Sequence, residues 1–227
     1  MASIGTLAAG ILHEINNPTS AIFGILEAIV DLNTNPDPLL TGYLQMMREQ
    51  LERITGITRE VSEFSMPQMD EVQLLDLNSL VEKCTNLMRF DRRMGNIRLH
   101  LDLDRTLPAI QGSSAQLTQV LINLLLNAAD ALEGQQEPAP SVTVLTHAQP
   151  DDVLLQVIDN GIGMDEKTKA QVFDAFFTTK RVGKGTGLGL SVCYSVIEKH
   201  MGRIDVSSAP GEGSTFSLFL PKPAEIQ

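Results

Sequence analysis

One segment concentrates residues able to hold an anion: Phe176 to Ser191, FFTTKRVGKGTGLGLS. Gly183, Gly185, Gly187 and Gly189 alternate through it, so its backbone can take positive φ and come close to a ligand. Lys180, Arg181 and Lys184 place three cations there, in a chain of net charge −11. From Leu188 onward, Leu190, Val192, Cys193, Val196 and Ile197 set a helical apolar pattern. A glycine-rich loop that opens a helix offers unpaired N–H groups and the positive end of the helix dipole to phosphate. A flexible surface loop with a few lysines is the plainer alternative. The loop carries no GxxxxGKS/T pattern and no strand runs directly into it, so a nucleotide site here is of another kind.

Three other groups have chemistry of their own. Asn123 and Asn127 lie one turn apart on an otherwise apolar helix face. Buried amides need partners, and an amide oxygen is a good hard ligand for Mg²⁺; two asparagines bonded to nearby loops would give the same pattern. Asp159-Asn160-Gly161-Ile162-Gly163 ends an apolar strand with a carboxylate and alternating glycines. The carboxylate could accept from an exocyclic amine such as adenine's while the glycines let the base approach; an ordinary Asn-Gly turn is the other reading. His13 stands on a helical stripe of Thr6, Gly10, His13, Asn17, Ser20 and Gly24, small or polar throughout, so its ring faces outward. Pro18 removes a hydrogen bond to the preceding turn and kinks that helix, a cost that points to function. Asn17, one turn from His13, can both donate to and accept from a water molecule.

These residues need elements to position them. Leu7, Ile11, Ile15, Ile22, Ile25, Leu26 and Ile29 predict one helix to about residue 33, ended by Asn33-Thr34-Asn35-Pro36-Asp37-Pro38. Leu40, Leu44, Met47, Leu51, Ile54, Val61 and Phe64 predict a second, making an antiparallel hairpin. A single hairpin cannot bury both apolar stripes, so dimerisation into a four-helix bundle is expected, packing on the following domain being the alternative. Met66 to Glu71 reads as a linker. Asn78 is expected to cap a helix running to about Phe90, and Ser113 or Ser114 the helix from Ala115 to Leu132. Strands are expected at Ile97–Leu103, Val142–Thr146, Val153–Ile158, Ile204–Ser208 and Thr215–Leu220, with a short helix near Glu166–Phe173. Four or five strands, mostly antiparallel, with three main helices predict an α+β two-layer sandwich. Phe173, Phe176 and Phe177 read either as a hinge or as core.

Composition narrows the partners. The chain is 43% apolar, 20% charged and 4% aromatic, which is globular. Its acidity argues against nucleic acid and against an anionic membrane surface. Cys84 and Cys193 both fall in apolar helical stretches and read as buried thiols in a reducing compartment. No apolar run is long enough to span a bilayer, and no signal peptide is visible.

Taken in order, the motifs closely resemble those of the sensor histidine kinases of two-component systems. HEINNP at His13–Pro18 resembles the H box, NLLLNAADA at Asn123–Ala131 the N box and DNGIGM at Asp159–Met164 the G1 box. FDAFFTTK at Phe173–Lys180 resembles the F box, GTGLGLS at Gly185–Ser191 the G2 box, and GEGSTF at Gly211–Phe216 the last glycine-rich element. HEINNP together with TTK is similar to the nitrogen- and oxygen-sensing subfamily. The resemblance implies a dimerisation and phosphotransfer hairpin over 1–68, a linker over 69–76, and over 77–223 an ATP-binding domain of the histidine kinase, gyrase and Hsp90 type. It implies that His13 is the phosphoacceptor, that Glu14 orients or deprotonates its ring, and that Asn17 positions water for dephosphorylating a regulator. It implies Mg²⁺ on Asn127, Asn123 near the phosphates, and Asp159 on the adenine amine flanked by Gly161 and Gly163. Thr179, Lys180, Gly185, Gly187, Leu188 and Gly189 would hold the triphosphate, and Thr215 would support the adenine end. The expected partners are a second copy, through the hairpin, and the receiver domain of a response regulator.

Two rivals remain on the sequence. Gyrase- and Hsp90-like ATPases use a glutamate one turn before the metal-binding asparagine to activate water; that position here is Asn123, which cannot act as a base. A degenerate dimeric scaffold is the other, and intact H, N, G1 and G2 elements speak against it. With no sensory domain or anchor visible, the chain is expected to be a cytoplasmic C-terminal core of a longer protein that could itself be anchored.

Overall fold

A computed structural model describes residues 15, 19–27, 29–30, 38–65, 72–180 and 186–223. His13, Glu14, Asn17, Pro18, Gly185, the expected turn before Pro38 and residues 66–71 lie outside the described residues. The chain divides into two compact units, Met1–Met69 with Lys180–Leu188, and Asp70–Thr179 with Gly189–Gln227.

In the first unit, α1 is helical at residues 15, 19–27 and 29–30, and α2 spans Pro38–Ser65. Leu26, Leu44 and Leu51 are buried, with Phe23 packed against them and the Arg48 guanidinium 5.8 Å from the Phe23 ring centre. The seam residues of α2 split into two sets. Leu44 and Leu51 are covered, while Leu40, Met47 and Ile54, at the alternate seam positions, are exposed. On α1, Ile22, Ile25 and Ile29 are exposed as well.

The second unit is an α+β sandwich, as the pattern predicts. Its five-stranded sheet has the order β2-β4-β5-β7-β6, formed by Arg98–Leu103, Ser141–Ala148, Asp152–Asp159, Gly213–Pro221 and Arg203–Ala209. Only β2 and β4 pair in parallel; the other neighbours are antiparallel. Helices α3 (Leu77–Met88), α4 (Ser114–Ala131) and α6 (Gly189–Lys199) cover one face, with α4 against β5 and between the other two. Val142 and Val144, Val153, Leu155 and Val157, and Phe216, Leu218 and Leu220 alternate toward that cover, where Leu121, Leu124 and Leu125 of α4 are fully buried. Each such leucine contributes about 1.5–3 kcal/mol through burial. A short helix α5 spans Glu166–Gln171, with Asp165 as its cap.

Two features depart from the sequence expectation. Gln73–Leu75, inside the expected linker, forms β1, which pairs with β3 (Ile110–Gly112) as a separate two-stranded sheet. The cap of α3 is Asp76, not Asn78: Asp76 accepts from the Ser79 amide at 3.1 Å and from its hydroxyl at 2.7 Å. Asn78 is drawn elsewhere, donating to the Asp104 carbonyl at 2.8 Å and accepting from the Thr146 hydroxyl at 2.8 Å. For α4 the cap is Ser113, which accepts from the Gln116 amide at 3.2 Å.

Candidate functional site

Side chains alternate along a strand, so Asp159 shares the helix-covered face with Val153, Leu155 and Val157. It is only 5% exposed. The sheet register sets Ser214 of β7 opposite Asp159, and Ser208 of β6 opposite Ser214. The next row on the same face, Val157, Phe216 and Val206, is apolar. A polar row thus closes one end of an otherwise apolar layer.

The Asp159 carboxylate accepts from the Gly161 amide at 2.9 Å and also from the Ser214 amide. Burial pushes its pKa above the usual carboxylate range, and those two backbone bonds oppose the rise without cancelling it. An acceptor in such a dry setting binds a donor more strongly than one in water. Thr215, expected at the adenine end, lies in the opposite phase of β7 from the buried Ser214 and Phe216. Strand alternation therefore sets Ser214, rather than Thr215, level with Asp159.

The glycines after Asp159 answer to the protein's own backbone. A Cβ on Gly161 would sit 2.6 Å from the Ala131 carbonyl oxygen at the end of α4. Gly163 has φ +64, and a Cβ there would overlap the Ala209 carbonyl. They let the loop pack between α4 and the β6–β7 turn, a different reason from the approach of a base. Asn160 fixes the same corner: it accepts from the Ser141 amide at 2.8 Å and donates to the Ala139 carbonyl at 3.0 Å. Ser208 clamps the far side of the loop, accepting from the Met164 amide at 2.8 Å and donating to the Gly213 carbonyl at 2.7 Å.

On α4, Asn123 and Asn127 are both half-buried. Asn123 donates to the Gly189 carbonyl at 3.4 Å, tying α4 to the first turn of α6. It also bonds the Cys193 thiol, whose pKa burial pushes up to about 12; this thiol is not a nucleophile. At its other end α6 is fastened by His200: the Ser113 amide donates to Nε2 at 3.0 Å, and Nδ1 lies 2.8 Å from the Val196 carbonyl. Nε2 therefore accepts and Nδ1 carries the hydrogen. The helix opened by Gly189 is thus held at both of its ends by the helix bearing the asparagines and its cap.

Phe173 belongs to the core, its ring 5.7 Å from Tyr194 and 6.4 Å edge-on from Phe216. Phe176 is exposed with φ +68, a conformation uncommon for a non-glycine residue. Thr179 is exposed and Lys180 half-buried. In the first unit Gly187 has φ +73, and the Leu188 amide donates to the Thr186 hydroxyl at 3.3 Å.

The second unit offers a buried carboxylate acceptor, a polar row beside it and amide oxygens on α4, a donor set that fits an adenine nucleotide and a hard cation. These features define the class of ATP-binding α+β domains. Residues 112–224 match the family described as histidine kinase-, DNA gyrase B- and HSP90-like ATPase, and residues 3–69 match the His kinase A phospho-acceptor domain. The signal transduction histidine-protein kinase AtoS of Escherichia coli K12 is 34% identical over 97% of this chain and 35% of its own length. The catalytic domain of the histidine kinase ThkA is 31% identical, with TM-score 0.57 over 67% of this chain and 96% of that one. ThkA in complex with the response regulator protein TrrA aligns over 99% of this chain and 63% of that one, with 27% identity and TM-score 0.68. The chain belongs to the sensor histidine kinases of two-component systems. It spans about a quarter to a half of the length of the curated relatives it matches. Among the described residues, no helix is long and apolar enough to cross a membrane.

Proposed function

We propose that this chain is a protein-histidine kinase core that moves the γ-phosphoryl of ATP to His13 and then to an aspartate on a response regulator. One observation carries the reading: a phosphoacceptor match holding HEINNP and an ATPase match holding the buried Asp159 occur in one chain. Asp159 would accept from the adenine amine, with Ser214 rather than Thr215 beside it. Asn127 would hold Mg²⁺, with Asn123 near the phosphates; the ion neutralises charge on the transferring group. Lys180, Gly185, Gly187, Leu188 and Gly189 would bind the triphosphate, with Thr179 at its edge. A neutral His13 nitrogen would attack phosphorus, with Glu14 taking or orienting the ring proton. Asn123 donates its amide to Gly189 and cannot activate water, which favours transfer over hydrolysis.

The same reading includes a homodimer. Leu40, Met47 and Ile54 of α2 are exposed, as are Ile22, Ile25 and Ile29 of α1, and a second hairpin is the natural cover. A receiver-domain partner is supported by the relative ThkA, whose structure was solved with a response regulator.

Incubation with γ-labelled ATP and Mg²⁺ tests the reaction. A phosphoramidate on histidine survives alkali and is lost in acid. Label that survives acid instead would place the phosphate on a hydroxyl and overturn the reading.

A further inference from the structure

We infer that Ser208 fixes the hydrogen-bonding sense of the row beside Asp159, and so helps select a purine carrying an amine over one carrying a carbonyl. The inference rests on the proposed ATP site and adds to it a residue that acts through Ser214.

A serine hydroxyl has one hydrogen and two lone pairs. At Ser208 all three are committed. The Gly213 carbonyl, 2.7 Å away, can only accept, so the hydrogen goes there. The Met164 amide, 2.8 Å away, can only donate, so it takes one lone pair. The Ser214 hydroxyl lies 3.0 Å from the Ser208 oxygen. Ser208 has no hydrogen left to give, so Ser214 must donate its own into the remaining lone pair.

The consequence falls on Ser214. With its hydrogen turned toward β6, its oxygen keeps only lone pairs for anything else. Ser214 is 7% exposed, faces the covered side of the sheet and stands in register with Asp159. An ionised Asp159 is also acceptor-only. The row thus presents acceptors alone, which suits the two hydrogens of a 6-amino purine. A 6-oxo purine would meet lone pairs with lone pairs. Without Ser208, the Ser214 hydroxyl is free to turn and donate to such a carbonyl.

The test compares ATP with inosine triphosphate, which carries the carbonyl in place of the amine, in equilibrium binding to the full chain. Ser208→Ala is expected to lower the preference for ATP by roughly tenfold, one hydrogen bond's worth, while Asp159 keeps a residual preference. Ser208→Thr, which retains the hydroxyl, is expected to keep the preference. Ser214→Ala, which leaves the Ser208 ties to Met164 and Gly213 intact, should lower the preference to a similar extent. Adding Ser208→Ala to it should change the preference no further, because both act at one hydroxyl. If Ser208→Ala weakens both nucleotides equally, or Ser214→Ala leaves the preference untouched, Ser208 is only a structural clamp and the inference is wrong. A wild-type chain that binds neither nucleotide would instead overturn the ATP site itself.

Discussion

The unit around α1 and α2 covers Leu26, Leu44 and Leu51 and leaves Ile25 61% and Met46 60% exposed, whereas the unit around α4 seals Leu121, Leu124 and Leu125 completely. Both carry apolar seams in sequence, yet among the described residues only the second is fully covered. A sheet presents a broad face that three helices can cover; two helices present each other with one stripe and keep another. The difference matches the division of labour proposed for them. A nucleotide pocket needs a dry, fixed wall, which a complete core supplies. A phosphoacceptor histidine needs an exposed helix, which the proposed bundle between copies would supply.

Substitutions in the two units should therefore fail in different ways. The largest effect is expected from Met47→Glu, which sets an unpaired charge into the proposed seam between copies at a cost of about 3–5 kcal/mol of dimer stability. Sedimentation should show monomer, with the melting of the nucleotide-binding unit unchanged. Leu124→Ala should do the reverse, costing about 3 kcal/mol in that unit through the cavity it leaves, with the dimer intact.

Asp159→Asn should weaken ATP by about 2 kcal/mol, as expected for losing a charged acceptor. Its effect on the nucleotide-free protein has the opposite sign. Burial raises the Asp159 pKa in the folded state, so the stability it contributes is present below its unfolded pKa and lost as pH rises through the folded one. Asn, which has no charge to desolvate, should raise the neutral-pH Tm of the free protein. A melting curve at pH 7 without nucleotide checks this; a lowered Tm would contradict it. The smallest effect belongs to Asp104, whose pKa bonds from Thr106 and Ala148 hold down at about 2. That contribution is lost as pH falls from the ordinary carboxylate value toward about 2, so Asp104→Asn should flatten the acid limb of Tm against pH.

The elements that carry long periodic patterns were readable from the residues: α2, α3, α4, α6 and all five strands of the main sheet. β1 and β3 were not, because three residues show no period and their pairing joins Gln73 to Gly112, far apart in the chain. Asp76 and Asn78 are both good caps. The choice between them depends on Asp104 and Thr146, which reach Asn78 only in the folded sheet. Ser214 could have been found, since counting back in twos from Leu218 and Phe216 reaches it and skips Thr215. Ser208 is in phase with Ile204 and Val206, but its clamp on Met164 requires the loop geometry. In sequence Gly161 and Gly163 suit a ligand's approach, whereas in the fold α4 and β6 crowd them.

By the proposed function, Asp159 holds the adenine of ATP and His13 receives its phosphate. The direct measurement is label incorporation from γ-labelled ATP into His13→Gln, alongside its affinity for ATP. The expected result is no acid-labile label with wild-type ATP affinity. Acid-labile label at the wild-type level in His13→Gln would show that the phosphate goes elsewhere.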